Sequence, residues 1–132
     1  RIKIGDLPIV KASRVQMRQL FSNLISNAIK YSKETTAPFI EIYQPENLDA
    51  EIPDQNAKFV QIQIKDNGIG MEENHLSKIF TIFQRLHARN EYSGNGIGLA
   101  ICKKIMENHS GKITVESILN EGTTFNLYFP IV

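Results

Sequence analysis

This chain is predicted to fold as an α/β two-layer sandwich, an α+β arrangement with helices packed on one face of a mixed, mainly antiparallel sheet. Apolar residues recur with a helical period at Leu20, Phe21, Leu24, Ile25, Ala28 and Ile29, and again at Leu99, Ala100, Ile101, Ile105 and Met106. An alternation at Val60, Ile62 and Ile64 has the period of a strand with one buried face. Toward the C-terminus two further strands flank a hairpin turn at Asn120-Glu121-Gly122. At 132 residues the chain fits one domain, and a domain of this size hides roughly 65–70% of the surface that its unfolded chain exposes.

The elements follow in order. After a short extended start, Ser13 and Gln16 have the spacing of a capping box and open a helix over residues 13–32. Pro38 ends the next loop, and Phe39, Ile40, Ile42 and Tyr43 predict a strand. The stretch over residues 45–56, with Pro45, Pro53 and several acids, reads as a surface connection. A strand over residues 59–65 runs into Asp66-Asn67-Gly68-Ile69-Gly70, and a short helix then turns Leu76, Ile79, Phe80 and Phe83 inward. Residues 86–96 are polar and glycine-bearing, as a mobile lid is. The second long helix follows at once, and Gly111 stands where a C-cap glycine is expected. Strands over residues 112–117 and 123–129 complete the sheet, with no repeat, low-complexity segment or second domain.

Composition narrows the function by exclusion. Hydrophobic residues at 42% and charged residues at 22% rule out a disordered or fibrous chain. A net charge of +1, with scattered basic residues, lacks the electrostatic footprint of a nucleic-acid binder. Cys102 is the single cysteine, so it forms no internal disulfide and is read as a packing residue in a reducing, cytoplasmic setting. No apolar run approaches the ~20 residues of a membrane helix, so direct membrane contact is not expected, whatever anchors a parent protein. The first residue is Arg1 rather than methionine, which leads us to expect a domain excised from a longer chain.

Two glycine-rich segments downstream of an asparagine-bearing helix carry the chemistry. Asp66 lies at the exposed end of a strand, and an ionised carboxylate accepts hydrogen bonds without donating them. It therefore suits the exocyclic amine of adenine and opposes the carbonyl of guanine, although an Asp-Asn-Gly turn held by its own side chain needs no ligand. Gly68 and Gly70 permit a close backbone approach to a flat ring, or positive φ angles in a plain turn. Asn23 and Asn27 project from one helical face, where side-chain oxygens suit a Mg²⁺ ion bridging phosphates; surface asparagines are the competing reading. Lys30 lies on the same side, where it could reach a phosphate or stand as a solvated charge, and Tyr31 either stacks at the pocket edge or covers the core. Gly94-Asn95-Gly96-Ile97-Gly98-Leu99 runs straight into a helix, so unpaired N–H groups would face phosphate oxygens. Its spacing fits neither the dinucleotide fingerprint nor the Walker loop. His75, His87 and His109 share no metal-ligand spacing and read as surface or lid residues.

These segments resemble, in order, the motifs of the catalytic and ATP-binding domain of two-component sensor histidine kinases, which shares the Bergerat-type fold with gyrase, Hsp90 and MutL proteins. QLFSNLISNAIKYS, residues 19–32, is similar to the N box and DNGIGM, residues 66–71, to the first glycine box. KIFTIF, residues 78–83, resembles the F box, residues 94–100 the second glycine box, and Gly122-Thr123-Thr124-Phe125 the terminal glycine-threonine motif. The segment FQRLHAR, residues 83–89, resembles phytochrome-like and PAS-linked sensor kinases.

The resemblance implies that Asp66 holds adenine with Thr123 nearby, that Asn27 binds Mg²⁺ with Asn23 in support, and that Lys30 meets phosphate beside Tyr31. It implies that Gly94, Gly96 and Gly98, with Leu99, form the lid hinge and phosphate-facing turn, that Arg85 approaches phosphate, and that Phe80 and Phe83 steady the lid. In ATP-hydrolysing relatives the position of Asn23 resembles that of a glutamate general base, and an amide takes no proton from water. ATP is therefore expected to be held for transfer of its γ-phosphoryl group to a histidine on a separate dimeric helical domain. That histidine then serves a response-regulator receiver domain. The alternatives are a non-catalytic ATP sensor, a gyrase-like or Hsp90-like ATPase, and a serine kinase of the anti-sigma type.

Overall fold

The computed structural model describes residues 1–45, 59–76, 78–80 and 97–131. Five strands among these residues form one sheet: β1 (Ile2–Ile4), β2 (Ile40–Tyr43), β3 (Phe59–Asp66), β4 (Lys112–Ile118) and β5 (Gly122–Pro130), ordered β1-β2-β3-β5-β4. β1 runs parallel to β2, and every other pairing is antiparallel. The sheet is therefore mixed and mainly antiparallel, as the sequence predicts. The extended start is itself a strand, too short for its alternation to register as one.

Helix α1 (Arg14–Lys30) starts where the capping spacing places it, with Ser13 Oγ accepting the Gln16 N–H at 3.3 Å. The reciprocal half of the capping box is replaced. Gln16 Oε1 accepts from Asn108 Nδ2 at 3.4 Å, and the Ser13 N–H donates to His109 Nε2 at 3.0 Å. His109 Nδ1 lies 2.8 Å from the Ile105 carbonyl, which only accepts, so the neutral ring carries its proton on Nδ1. His109 thus ties the start of α1 to the end of the second long helix rather than standing free on the surface.

Helix α2 (Glu73–Leu76) is shorter than predicted and gives way to a turn at residues 78–80, with Ile79 buried and Phe80 half-buried. Helix α3 (Ile97–Asn108) corrects the expected cap. The left-handed residue is Ser110 (φ 58°), and the N–H groups of Ser110 and Gly111 donate to the carbonyls of Glu107 (3.0 Å) and Met106 (2.8 Å). This is a Schellman ending one residue earlier than predicted. Gly111 is required for a different reason: a Cβ there would stand 2.1 Å from the Tyr128 carbonyl oxygen.

The core lies between the helices and one face of the sheet. Leu20, Leu24 and Ala28 of α1 and Cys102, Ile105 and Met106 of α3 bury against Ile62 and Ile64 of β3 and Phe125 and Leu127 of β5. Cys102 packs as expected. Ile29, predicted inward, is 52% exposed, because the buried stripe runs through positions spaced by four and leaves residue 29 on the far side of the helix. No helix among the described residues is long and apolar enough to cross a membrane.

The opposite face of the sheet carries a polar network that the alternation of β3 does not announce. Asn126 Oδ1 accepts from Gln61 Nε2 (3.0 Å) and Gln63 Nε2 (2.7 Å), while its Nδ2 donates to Thr114 Oγ1 (3.2 Å) and Glu116 Oε1 (3.0 Å). Gln61 and Asn126 are 2% and 1% exposed, and Gln61 Oε1 has no hydrogen-bond partner among the described residues.

Candidate nucleotide site

Three strand ends place the central side chains in a row. Lys65 pairs with Thr124 and Ser117 with Thr123, so Asp66, Thr123 and Ser117 stand side by side across β3, β5 and β4. They continue the parity of Ile64, Phe125 and Val115 and so belong to the helix-facing side of the sheet. The row occupies the rim where that face leaves the apolar core.

Asp66 is oriented by backbone. Its Oδ1 accepts the Gly68 N–H at 2.8 Å and the Thr123 N–H at 3.3 Å, while Oδ2 makes no hydrogen bond among the described residues. Burial raises the carboxyl above its ordinary range, and the Gly68 and Thr123 N–H groups pull it back only in part. The self-held turn and the ligand carboxylate are therefore compatible: one oxygen fastens the turn and the other remains an acceptor.

The first glycine segment is clamped from two sides. The Ile69 N–H donates to the Tyr31 carbonyl (2.9 Å), Asn120 N–H donates to the Ile69 carbonyl (2.7 Å), and Met71 N–H donates to Ser117 Oγ (2.8 Å). Gly70 has φ 70°, and a Cβ there would meet the Ile118 carbonyl oxygen at 2.1 Å. A Cβ on Gly68 would stand 2.6 Å from the Tyr31 carbonyl oxygen. The close approaches anticipated for a flat ring are thus made first to the protein's own backbone. Asn67 fastens the same turn to the entry of β2, accepting from Phe39 N–H (2.9 Å) and donating to the Ala37 carbonyl (3.2 Å).

The α1 residues divide. Asn23 Nδ2 donates to the Gly98 carbonyl at 3.4 Å, while the nearby Cys102 thiol donates to the Leu20 carbonyl at 3.8 Å and burial pushes its pKa up to about 12. Asn23 therefore holds the first turn of α3. Asn27, half-buried one turn later, makes no side-chain hydrogen bond among the described residues. Tyr31 caps α1 through its N–H to the Asn27 carbonyl (3.1 Å), which brings the asparagine's end of the helix onto the clamped turn. Lys30 is exposed. It borders an open concavity of about 570 Å³ along the outward face of α1, with Ser22, Ile25, Ser26 and Ile29; Asn27 and Asp66 are not part of that lining.

Leu99 packs against the core, so its apolar side chain is accounted for there. Phe80 meets Phe125 edge to face, with ring centroids 6.4 Å apart. Phe83, Arg85, Gly94 and Gly96, and the expected lid with His87, lie outside the described residues. No group of three or more histidine, cysteine, aspartate or glutamate side chains suited to a metal occurs among the described residues. Sequence reasoning missed Ser117 and Asn67. Ser117 had one available signal, its position directly across the hairpin from Thr123.

A half-buried carboxylate at a strand end, beside a clamped glycine turn and with one oxygen unbonded among the described residues, fits an ATP-binding domain of the Bergerat class. Residues 12–132 match the histidine kinase-, DNA gyrase B-, and HSP90-like ATPase family, and the chain belongs to it as a catalytic ATP-binding domain of the two-component sensor histidine kinase type. It is 50% identical over 125 residues to cyanobacterial phytochrome A of Nostoc sp., covering 95% of this chain and 15% of that protein. It is 44% identical over 130 residues to the phytochrome-like protein Cph1 of Synechocystis sp., covering 98% of this chain and 16% of the relative. The chain thus spans about a sixth of the length of these relatives. Among solved structures it is similar to the catalytic domain of the histidine kinase ThkA, at 28% identity and a TM-score of 0.70, covering 98% of this chain and 77% of that one.

Proposed function

We propose that this domain, as one unit of a longer sensor kinase, holds ATP with Mg²⁺ and presents the γ-phosphoryl group to a histidine on the parent's helical dimerisation domain. From there it passes to an aspartate of a response-regulator receiver domain. The observation that carries the reading is the divided carboxylate of Asp66, with Oδ1 spent on two backbone N–H groups and Oδ2 left for a donor. An acceptor held rigid in this way selects the adenine amine over a carbonyl at the same position. Thr123 lies beside it, and the Gly68 and Gly70 turns shape the floor.

Asn27 has the chemistry for a Mg²⁺ ligand, a side-chain oxygen with no partner among the described residues. The bound ion would neutralise phosphate charge. Lys30 supplies a further positive charge, while Gly94, Gly96 and Gly98 would present backbone N–H groups to the phosphates and Arg85 a guanidinium. Asn23 is engaged with Gly98 and as an amide deprotonates no water, which favours transfer over hydrolysis.

Calorimetric titration with ATP and GTP, each with and without Mg²⁺, tests the first half, and the expected result is ATP-selective binding strengthened by the metal. Addition of a histidine-bearing helical domain tests the second, with acid-labile phosphoryl incorporation as the expected result. Acid-stable incorporation would instead indicate a serine acceptor, and free phosphate release without incorporation an ATPase.

A further inference from the structure

Ser117 Oγ is the meeting point of three segments, β4, the first glycine turn and the start of β5. It receives the Met71 N–H at 2.8 Å, lies 3.0 Å from the Gly122 carbonyl oxygen, and lies 2.8 Å from Thr123 Oγ1. A serine hydroxyl has one proton and two lone pairs. The Gly122 carbonyl only accepts, so it takes the serine proton. The Met71 N–H only donates, so it takes one lone pair. The remaining lone pair faces Thr123, whose hydroxyl must then donate. The reverse assignment, with serine donating to Thr123, would set an unprotonated Oγ against the carbonyl oxygen of Gly122.

The consequence falls on Thr123, which is 8% exposed and whose own N–H holds Asp66 Oδ1. With its proton committed to Ser117, Thr123 Oγ1 offers only lone pairs toward the site. We propose that Ser117 is a positioning residue for base selection: it captures the Thr123 proton, so that Thr123 and Asp66 both accept at the purine 6-position, matching the two N–H groups of a 6-amine and repelling a 6-oxo group. This deepens, and rests on, the ATP reading. Without Ser117 the threonine hydroxyl rotates freely and can donate, and half of the filter is lost.

The test compares the affinities of ATP and inosine triphosphate, which differs in carrying a 6-oxo group with a protonated N1. In Ser117→Ala the preference for ATP is expected to shrink by about tenfold, the loss of one hydrogen-bond distinction. Ser117→Thr, which keeps a hydroxyl, is expected to retain it. Thr123→Val should shrink the preference similarly, and adding Ser117→Ala to it should change nothing more. Equal weakening of both nucleotides in Ser117→Ala, with the preference intact, overturns the proposal and leaves the ATP reading standing. An unsubstituted domain that binds neither nucleotide overturns both. Should Ser117→Ala fail to fold, nuclear magnetic resonance of the unsubstituted protein decides. A slowly exchanging Thr123 hydroxyl proton close to the Ser117 β protons is expected, and one exchanging as fast as exposed hydroxyls overturns the proposal.

Discussion

The two faces of the sheet each hold a polar cluster, and the clusters leave different atoms unsatisfied. On the helix-facing side Asp66, half-buried at a rim, leaves Oδ2 without a partner among the described residues, with neighbouring groups fixed by backbone bonds. On the other side Asn126 is used at every position, and the atom without a partner among the described residues is Gln61 Oε1, enclosed on a residue 2% exposed. An open acceptor at the end of a strand is available to a ligand. An enclosed acceptor in mid-strand only costs stability. The difference between a site and a structural network here is position along the strand, since both are built from the same kinds of amide, hydroxyl and carboxylate groups.

The largest expected effect tests the structural side. Asn126→Ala removes the acceptor of both glutamines and strands the buried Gln61 Nε2, which should cost about 2–4 kcal/mol of unfolding free energy. Chemical denaturation measures it, and ATP affinity should stay within twofold. A parallel loss of nucleotide binding would show that the two faces are one coupled unit, and the comparison would fail.

Asp66→Asn should do the reverse. The new amide oxygen still accepts from Gly68 and Thr123, so the turn is kept, but the group facing the site becomes a donor. ATP binding is expected to weaken by about 1–3 kcal/mol while stability holds or rises. The pH dependence sharpens this. Because burial raises the Asp66 carboxyl above its ordinary 3.8, the native state binds its proton more tightly than the unfolded state does. Stability contributed by this group is therefore present below 3.8 and is lost as pH rises through the raised native value. The stability advantage of Asp66→Asn over the unsubstituted protein should accordingly be largest near neutrality and vanish in acid. An advantage that instead grows on acidification would mean that the native carboxylate is stabilised rather than strained by its surroundings.

Much of this was legible in the sequence because local period and local chemistry agree. The stripe of Leu20, Leu24 and Ala28, the Ser13 cap and the alternation into Asp66 each depend on residues a few positions apart. What stayed hidden depends on pairing across long separations. His109 reads as a lone surface histidine until α3 is laid beside α1, where it replaces half of a capping box. Gly111 looks like a cap glycine, yet its reason lies in the Tyr128 carbonyl across the chain turn. Ser117 and Asn126 have partners across the predicted hairpin, but the Met71 N–H on Ser117 and the two glutamines on Asn126 follow only from laying β3 beside β5, which no local pattern encodes.

The smallest effect concerns Gln61 itself. If its amide were reversed, its oxygen would face Asn126 Oδ1, so the orphaned Oε1 is the better of two orientations, and no rotation within the network satisfies it. Gln61→Met keeps length and volume while removing both polar atoms. The hydrogen bond to Asn126 is lost, but Asn126 Oδ1 keeps the Gln63 donor at 2.7 Å. The enclosed oxygen's desolvation cost, about 1–3 kcal/mol, is relieved, against about 1 kcal/mol for the lost bond. The balance predicts a change within about 1 kcal/mol in the stabilising direction, read as a higher denaturation midpoint with an unchanged slope. A loss of more than that would mean that Oε1 is satisfied in solution by an ordered water, and that the far face holds a hydrated network rather than a strained one.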